Sequence, residues 1–266
     1  MAGAKTETEG TRTVGRVLRL LELIAGKQKP IRLVDISGML GMPASSAHVL
    51  AKQLVKYNYI RADEDRRYSQ STALVALASK VMGNTPLISI ARPYIEQLNQ
   101  ATRESIYLGL RTDEGIVYVD AVEGTSGLVS RTPLGSLRPA HASSAGRLFL
   151  AYAVPEAKLS GFLGKAPLQA YTPRTPTNRG ELKQLLKNIR VDGFAVNEQA
   201  LTDKVCGVSA PIFDASSKLV GTITLSAPDA RFNVKKAQLI SQVVGCAQSI
   251  SLACGQPSDQ ANAPAR

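Results

Sequence analysis

Tryptophan is absent from the 266 residues, and all aromatics together make up 5%. Histidine occurs only at His48 and His141, which leaves little from which to build a histidine-rich metal centre, and no metal or other cofactor is expected. The three cysteines, Cys206, Cys246 and Cys254, are odd in number and include no C-x-x-C pair. That excludes a disulfide framework or a four-cysteine zinc site and points to a reducing compartment. No apolar run approaches the roughly 20 residues that span a bilayer, so no transmembrane helix is expected. Met1 to Thr13 is polar and has no hydrophobic core of a secretory signal, so the expected location is the cytoplasm. Neither G-x-G-x-x-G nor a phosphate-binding P-loop occurs.

What the chain does have is basic charge. Lys and Arg number 32 against 21 Asp and Glu, a net charge of +11. Such an excess suits a polyanionic partner, most often nucleic acid. Residues 1–86 hold 13 basic and 7 acidic side chains, so the first third carries over half of the excess. Apolar residues at 44% and charged residues at 20% allow a buried core. The length suits two domains, at roughly 100–200 residues each.

Hydrophobic spacing divides the chain. Residues 1–10 and 255–266 are polar and read as disordered tails. A helix starts near Thr13, with Val14, Val17, Leu18, Leu21 and Ile24 recurring at helical spacing, and stops at Gly26. A short second helix turns Leu33, Ile36 and Leu40 inward and ends at Gly41. A third begins at Pro43, with the apolar stripe Ala47, Leu50, Ala51 and Leu54. Short strands at Tyr59–Ala62 and Arg67–Gln70 flank a polar turn, Asp63 to Arg66. These features predict a winged helix-turn-helix over 11–70. A linker helix over 71–85 places Leu74, Leu77, Ala78 and Val81 on one face, and Gly83-Asn84-Thr85-Pro86 breaks it.

Residues 86–254 form the second domain. Helices are expected at Pro86–Thr102, Ser144–Ala153, Pro155–Leu163, Thr177–Val191 and Asn233–Leu252. Strands are expected at Ser105–Arg111, Ile116–Val122, Leu128–Thr132, Phe194–Asn197, Gly207–Phe213 and Leu219–Ser226. Asp113-Glu114-Gly115 marks a hairpin turn. The pattern predicts an α+β domain, an antiparallel sheet with helices against one side.

In a helix-turn-helix the third helix buries one stripe and offers the other to the major groove. The buried stripe leaves Ser45, Ser46, His48, Val49 and Lys52 outside, with Pro43 and Ala44 at the leading end. Hydroxyls at a helix N-terminus suit phosphate oxygens, and His48 and Lys52 can reach bases or phosphates. In the turn, Arg66 and Arg67 would lie over the minor groove or backbone. The plainer alternatives are a three-helix bundle for protein contacts, Ser45 and Ser46 as helix caps, and His48 as an ordinary surface histidine.

Val14-Gly15-Arg16-Val17-Leu18, Gly41 to Leu50 and Tyr68 resemble the amino-terminal domain of IclR-type transcriptional regulators. His141-Ala142-Ser143-Ser144-Ala145-Gly146-Arg147, Tyr171 to Thr175, Gly193 to Glu198 and Ser209 to Asp214 match further segments of that family in order. The resemblance covers roughly 12–253. It implies a winged helix, a linker helix and a GAF-like domain that binds a small effector, assembled as a homodimer or tetramer on a palindromic double-stranded operator.

The resemblance also implies an effector pocket between the sheet and the helix after His141. Amides of Ser144, Ala145 and Gly146 would bind a carboxylate. Asn197 stands where an acid is usual, and Gly207 where a cysteine is usual. Thr224 and Ser226 supply two hydroxyls on one strand face. Loss of an acid and of a side chain suggests a roomier pocket for a bulkier, aromatic carboxylate of a catabolic pathway. Arg131 is a second candidate anion contact, or else a solvated strand-end residue. Asn197, Thr224 and Ser226 also have ordinary turn and strand roles.

The expected function is thus sequence-specific transcription regulation, in the sense of repression. An enzyme is disfavoured: Ser143-Ser144 lacks a G-x-S-x-G elbow, and Glu198 and Asp203 read as solvated acids. The alternative is a thiol-based, redox-responsive regulator using the cysteines.

Overall fold

The computed structural model describes residues 9–27 and 29–257, in two units that divide between Asn84 and Thr85. The expected tails at 1–8 and 258–266 lie outside the described residues. Of the remaining positions read as tail, Glu9 and Gly10 are helical, and Gln256 is buried with its N–H on Ser251 O.

The first unit runs α1 (Glu9–Ala25), β1 (Ile31–Arg32), α2 (Leu33–Leu40), α3 (Ala44–Lys56), β2 (Ile60–Ala62), β3 (Arg67–Gln70) and α4 (Thr72–Gly83). Its core joins Leu20 and Ile24 of α1 to Ile36 of α2, the α3 stripe, and Ile60 and Tyr68 of the hairpin. The inward face of α1 differs from the expected one. Val14 and Leu18 are 60% and 53% exposed, and Val17, Leu20, Leu21 and Ile24 face the core. Both sets satisfy helical spacing, because α1 is apolar over more than one face. The turn between α2 and α3 is built locally. Gly41 adopts φ 59°, a left-handed conformation that suits glycine. Its N–H bonds to Gly38 O, Met42 N–H bonds to Ser37 O, and Ser37 Oγ donates to Met42 O at 2.6 Å. Pro43 caps α3 with φ −56°, one residue outside the helix rather than as its first residue.

β2 and β3 pair antiparallel, and β1 adds to β3 through Ile31–Tyr68 and Arg32–Arg67. The two-residue β1 carries no periodic signal and forms only because β3 supplies its partner. In the turn, Asp63 N–H bonds to Arg67 O and Arg66 adopts φ 57°.

The second unit holds a five-stranded antiparallel sheet of order β5-β4-β8-β7-β6. The strands are β4 (Ser105–Arg111), β5 (Ile116–Val122), β6 (Ala195–Glu198), β7 (Val205–Phe213) and β8 (Leu219–Pro228). The helices are α5 (Pro86–Thr102), α6 (Ser144–Ala153), α7 (Glu156–Phe162), α8 (Arg179–Asp192) and α9 (Asp229–Ala253). They cover both faces of the sheet, not the expected one. Ile106, Leu108, Val208 and Leu225 join Ile95 of α5 and Val243 of α9 in one core. Tyr107, Ile116 and Tyr118 join Leu148 of α6 and Leu186 of α8 in the other. β7 shows the consequence, being buried along nearly its whole length instead of alternating.

Leu128–Thr132 is a loop, not a strand. Tyr107 Oη donates to Ser130 O and accepts from Thr132 N–H, each at 3.0 Å, so the sheet holds this segment through one side chain. Arg231 donates twice to Glu104, at 2.6 and 2.8 Å, and reaches Leu128 O, fastening the same loop to α9. α9 begins four residues earlier than expected and is broken at Lys235 (φ −117°, ψ 16°).

Candidate nucleic-acid interface and ligand pocket

On α3, Ala47, Leu50, Ala51 and Leu54 are buried, while Pro43, Ala44, Ser45, His48, Val49 and Lys52 are exposed. Ser46 is half-buried. The charged end of the face extends to Lys56, whose ammonium lies 5.9 Å from the Tyr57 ring centroid. Arg66 is exposed at the wing tip. Arg67 is not in the turn: it is the first residue of β3, half-buried, and its guanidinium lies 3.5 Å from Asp65. Arg61 on β2 is the additional exposed wing cation, its Nε donating to Ser69 Oγ at 3.0 Å.

The second unit encloses a cavity of about 90 Å³ between α6 and the sheet. Strand register explains how its floor is assembled. Asn197 stands opposite Gly207 and Gly207 opposite Ser226, while Ser209 stands opposite Thr224 and Thr224 opposite Tyr107. Residues two apart on a strand share a face, so both rows point the same way. Ser144, Asn197, Gly207, Thr224 and Ser226 accordingly line one cavity, with Arg131 at its rim. A Cβ at Gly207 would lie 3.1 Å from Leu225 O and 3.8 Å from Ser144 Oγ, so the neighbouring strand backbone already crowds this position.

Ala145 and Gly146 are buried but do not line the cavity. The Gly146 amide is already used: Ser143 caps α6, and its Oγ accepts from Gly146 N–H at 2.9 Å. Glycine at this position is a packing requirement, since a Cβ would lie 2.4 Å from Pro139 O. The amides of Ser144 and Ala145 are the first-turn donors that this cap does not consume.

Hydroxyls connect the floor. Ser209 Oγ donates to Ser144 Oγ at 2.7 Å and lies 2.7 Å from Thr224 Oγ1. Asn197 Oδ1 accepts from Ala200 N–H at 2.7 Å, a turn-capping bond that leaves its NH₂ as the end available to the cavity. The lining residues that were not foreseen include Tyr107, Tyr118 and Arg138. The two tyrosine rings stack at 4.9 Å, and the Arg138 guanidinium lies 5.0 Å from the Tyr118 centroid. Burial pushes the Tyr118 phenol up, opposed by the charge of Arg138 and a hydrogen bond with Thr224. The lining holds two arginines and neither aspartate nor glutamate.

The cysteines share no environment that activates a thiol. Burial raises all three, with Cys246 pushed up to about 12 and its Sγ 3.7 Å from Tyr94 O. A redox-sensing thiolate needs the reverse shift.

A helix-turn-helix with an exposed third-helix face, followed in the same chain by a sheet unit enclosing a basic, hydroxyl-lined cavity, defines the class of ligand-responsive DNA-binding regulators. Residues 13–64 match the IclR helix-turn-helix domain, and residues 79–252 match the bacterial transcriptional regulator IclR C-terminal domain. The chain belongs to the IclR family, DNA-binding transcriptional regulators with an effector-binding C-terminal domain, a family of regulators and not of enzymes. It is similar to the HTH-type transcriptional regulator XynR of Escherichia coli, 25% identical over 92% of this chain and 98% of that one. It is also similar to the DNA-binding transcriptional repressor YiaJ of Escherichia coli, 26% identical over 94% and 90%. Among solved structures, an IclR homolog from Microbacterium hydrocarbonoxydans complexed with 4-hydroxybenzoate shares the fold, with a TM-score of 0.79 at 21% identity over 90% of this chain and 98% of that one. No single helix among the described residues is long and apolar enough to cross a membrane.

Proposed function

We propose that the chain is a cytoplasmic repressor that binds a palindromic operator as a homodimer or tetramer and is controlled by a small organic carboxylate. The observation that carries the reading is the division of α3: its apolar stripe is buried, and Ser45, His48, Val49 and Lys52 remain outside. In this reading these residues, with Pro43, Ala44 and Ser46, enter the major groove. Arg66 and Arg67 lie over the backbone and contribute salt-sensitive affinity.

Pairing is supported by apolar surface that the unit itself leaves uncovered. α4 contains no buried residue, and Val75 and Val81 are each 58% exposed; Val14 and Leu18 on α1 are likewise exposed. Two copies of the unit would present two recognition helices to two half-sites. Repression is supported by the similarity to YiaJ, a DNA-binding transcriptional repressor. A carboxylate effector is supported by the arginines and the absence of acids in the cavity lining, with Ser144, Asn197, Gly207, Thr224 and Ser226 as its polar surface. The second reading, an aromatic acid, is favoured by the 4-hydroxybenzoate in the Microbacterium neighbour. The chain acts through binding, without a resident cofactor and without catalysis.

An effector changes DNA affinity only if it binds one state of the assembly better than another. Fluorescence anisotropy of the full chain on its operator, with and without added carboxylates, tests the reading. Saturable, sequence-specific binding that a carboxylate shifts supports it. Binding that is equal on unrelated duplexes overturns it.

A further inference from the structure

The stretch from Ser126 to Gly135 contributes Ser130, Arg131 and Thr132 to the cavity wall. It contains neither helix nor strand, and none of its residues is buried. Its apolar side chains, Leu128, Val129 and Leu134, belong to neither core of the unit. Packing therefore does little to hold it. Its ends are fixed by the backbone. Thr125 N–H bonds to Arg103 O at one side, and Gly135 N–H bonds to Tyr118 O at 2.7 Å at the other. Just inside or at those ends stand Gly127 and Gly135, with φ of 36° and 78° and no atom within 4 Å of where a Cβ would sit. Two left-handed glycines in open space are positions where a backbone can turn at low steric cost.

Between those ends, among the described residues, three side chains hold the stretch. Tyr107 Oη on β4 donates to Ser130 O and accepts from Thr132 N–H. Arg231 on α9 donates to Leu128 O while its guanidinium is forked onto Glu104, whose side chain is 8% exposed. The third tie, Arg131 to Glu123, is an exposed ion pair, worth little and weakened by salt. Tyr107 has two roles at once, because its ring also lines the cavity and stacks on Tyr118. We infer that residues 128–134 are a hinged strap over the cavity, latched by the Tyr107 hydroxyl and the Arg231 guanidinium, and that release of the latches sets how fast a small molecule enters and leaves. Glu104 acts through Arg231, which it orients. The inference concerns access and holds for any small occupant, so it stands apart from the carboxylate reading above. An occupant that touches the Tyr107 ring also bears on the latch that confines it.

The test places a thiol on the cavity floor by Thr224→Cys in the full-length protein and follows its alkylation by iodoacetamide with peptide mass spectrometry. Thr224 is buried and lines the same cavity. Tyr107→Phe keeps the ring and removes both bonds to the strap. Arg231→Lys keeps a cation beside Glu104 and loses the fork that also reaches Leu128 O. Each is expected to speed alkylation of the introduced thiol by about 3- to 10-fold per hydrogen bond released, and the two together by more than either. Alkylation of Cys246, on the α9 side of the sheet, should keep its rate. An unchanged rate at the introduced thiol in both variants overturns the inference, since access would then run elsewhere. A rise matched at Cys246 overturns it too, because the whole unit would be loosening. If Thr224→Cys does not fold, hydrogen exchange in the chain carrying only Tyr107→Phe or Arg231→Lys reads the same opening. Faster exchange confined to residues 126–135 supports the strap, and unchanged exchange there overturns it.

Discussion

Ser209 Oγ donates to Ser144 Oγ across 2.7 Å, which ties the middle of the sheet to the first turn of α6. The two residues are 65 positions apart in the chain, and both hydroxyls are buried. Ser209→Ala removes the link and leaves the Ser144 and Thr224 hydroxyls short of a partner. The expected cost is about 1–3 kcal/mol, the penalty for unsatisfied buried polar groups. Urea unfolding at neutral pH measures it. A midpoint equal to that of the natural protein would mean that the link contributes nothing to stability.

Gly146 sits against the backbone of Pro139 and Ala140, where a Cβ would approach Pro139 O to 2.4 Å. Gly146→Ala therefore forces the start of α6 away from the preceding loop. Overpacking of this kind costs about 1–3 kcal/mol. Thermal unfolding should show the loss, and the displaced α6 should weaken whatever acid the cavity binds.

The thiol of Cys246 gives a pH prediction with a definite sign. Burial raises it from its usual 9.0 to about 12. The folded state holds the proton longer than the unfolded one, so the stabilisation is fully present below pH 9 and declines as pH rises toward about 12. Buried Tyr118 and Tyr152 act in the same direction. Urea midpoints measured upward from pH 9 should fall, and Cys246→Ala should make the fall shallower without removing it. Iodoacetamide at neutral pH should leave Cys246 unmodified in the folded protein. Fast alkylation would show an accessible, activated thiol and would reopen the redox alternative.

Local chemistry was legible where it decides the structure. The α3 stripe, the Gly41 stop, the β4–β5 hairpin and the limits of α6 follow from spacing, a left-handed glycine, a polar turn and a serine cap. What could not be read depends on partners distant in sequence. β1 exists only against β3, and Leu128–Thr132 looks like a strand but has no strand to pair with. Two-sided burial of the sheet needs α9, more than 100 residues from α5, to return to the same face as α5. The cavity was reached unevenly for the same reason. Its floor lies on strands whose register repeats every two residues. Arg138 comes from an irregular loop, where no periodicity shows which way a side chain points.

Lys52 on the exposed face of α3 is the simplest probe of electrostatic affinity. If it contacts a phosphate, Lys52→Ala should weaken binding about equally on all duplexes and reduce the slope of log affinity against log salt by about 1. Acid binding in the second unit should be unchanged. A simultaneous loss of acid binding would contradict the division of labour between the two units.

The most direct measurement is selection and sequencing of genomic DNA fragments retained by the full-length protein, repeated with the double variant His48→Ala, Lys52→Ala. The natural protein should enrich fragments sharing an inverted repeat, with half-sites one or more helical turns apart. The double variant should lose that enrichment while keeping its fold. Enrichment of the same repeat by the double variant would place recognition elsewhere than α3, and retention of DNA without any shared sequence would contradict sequence-specific regulation.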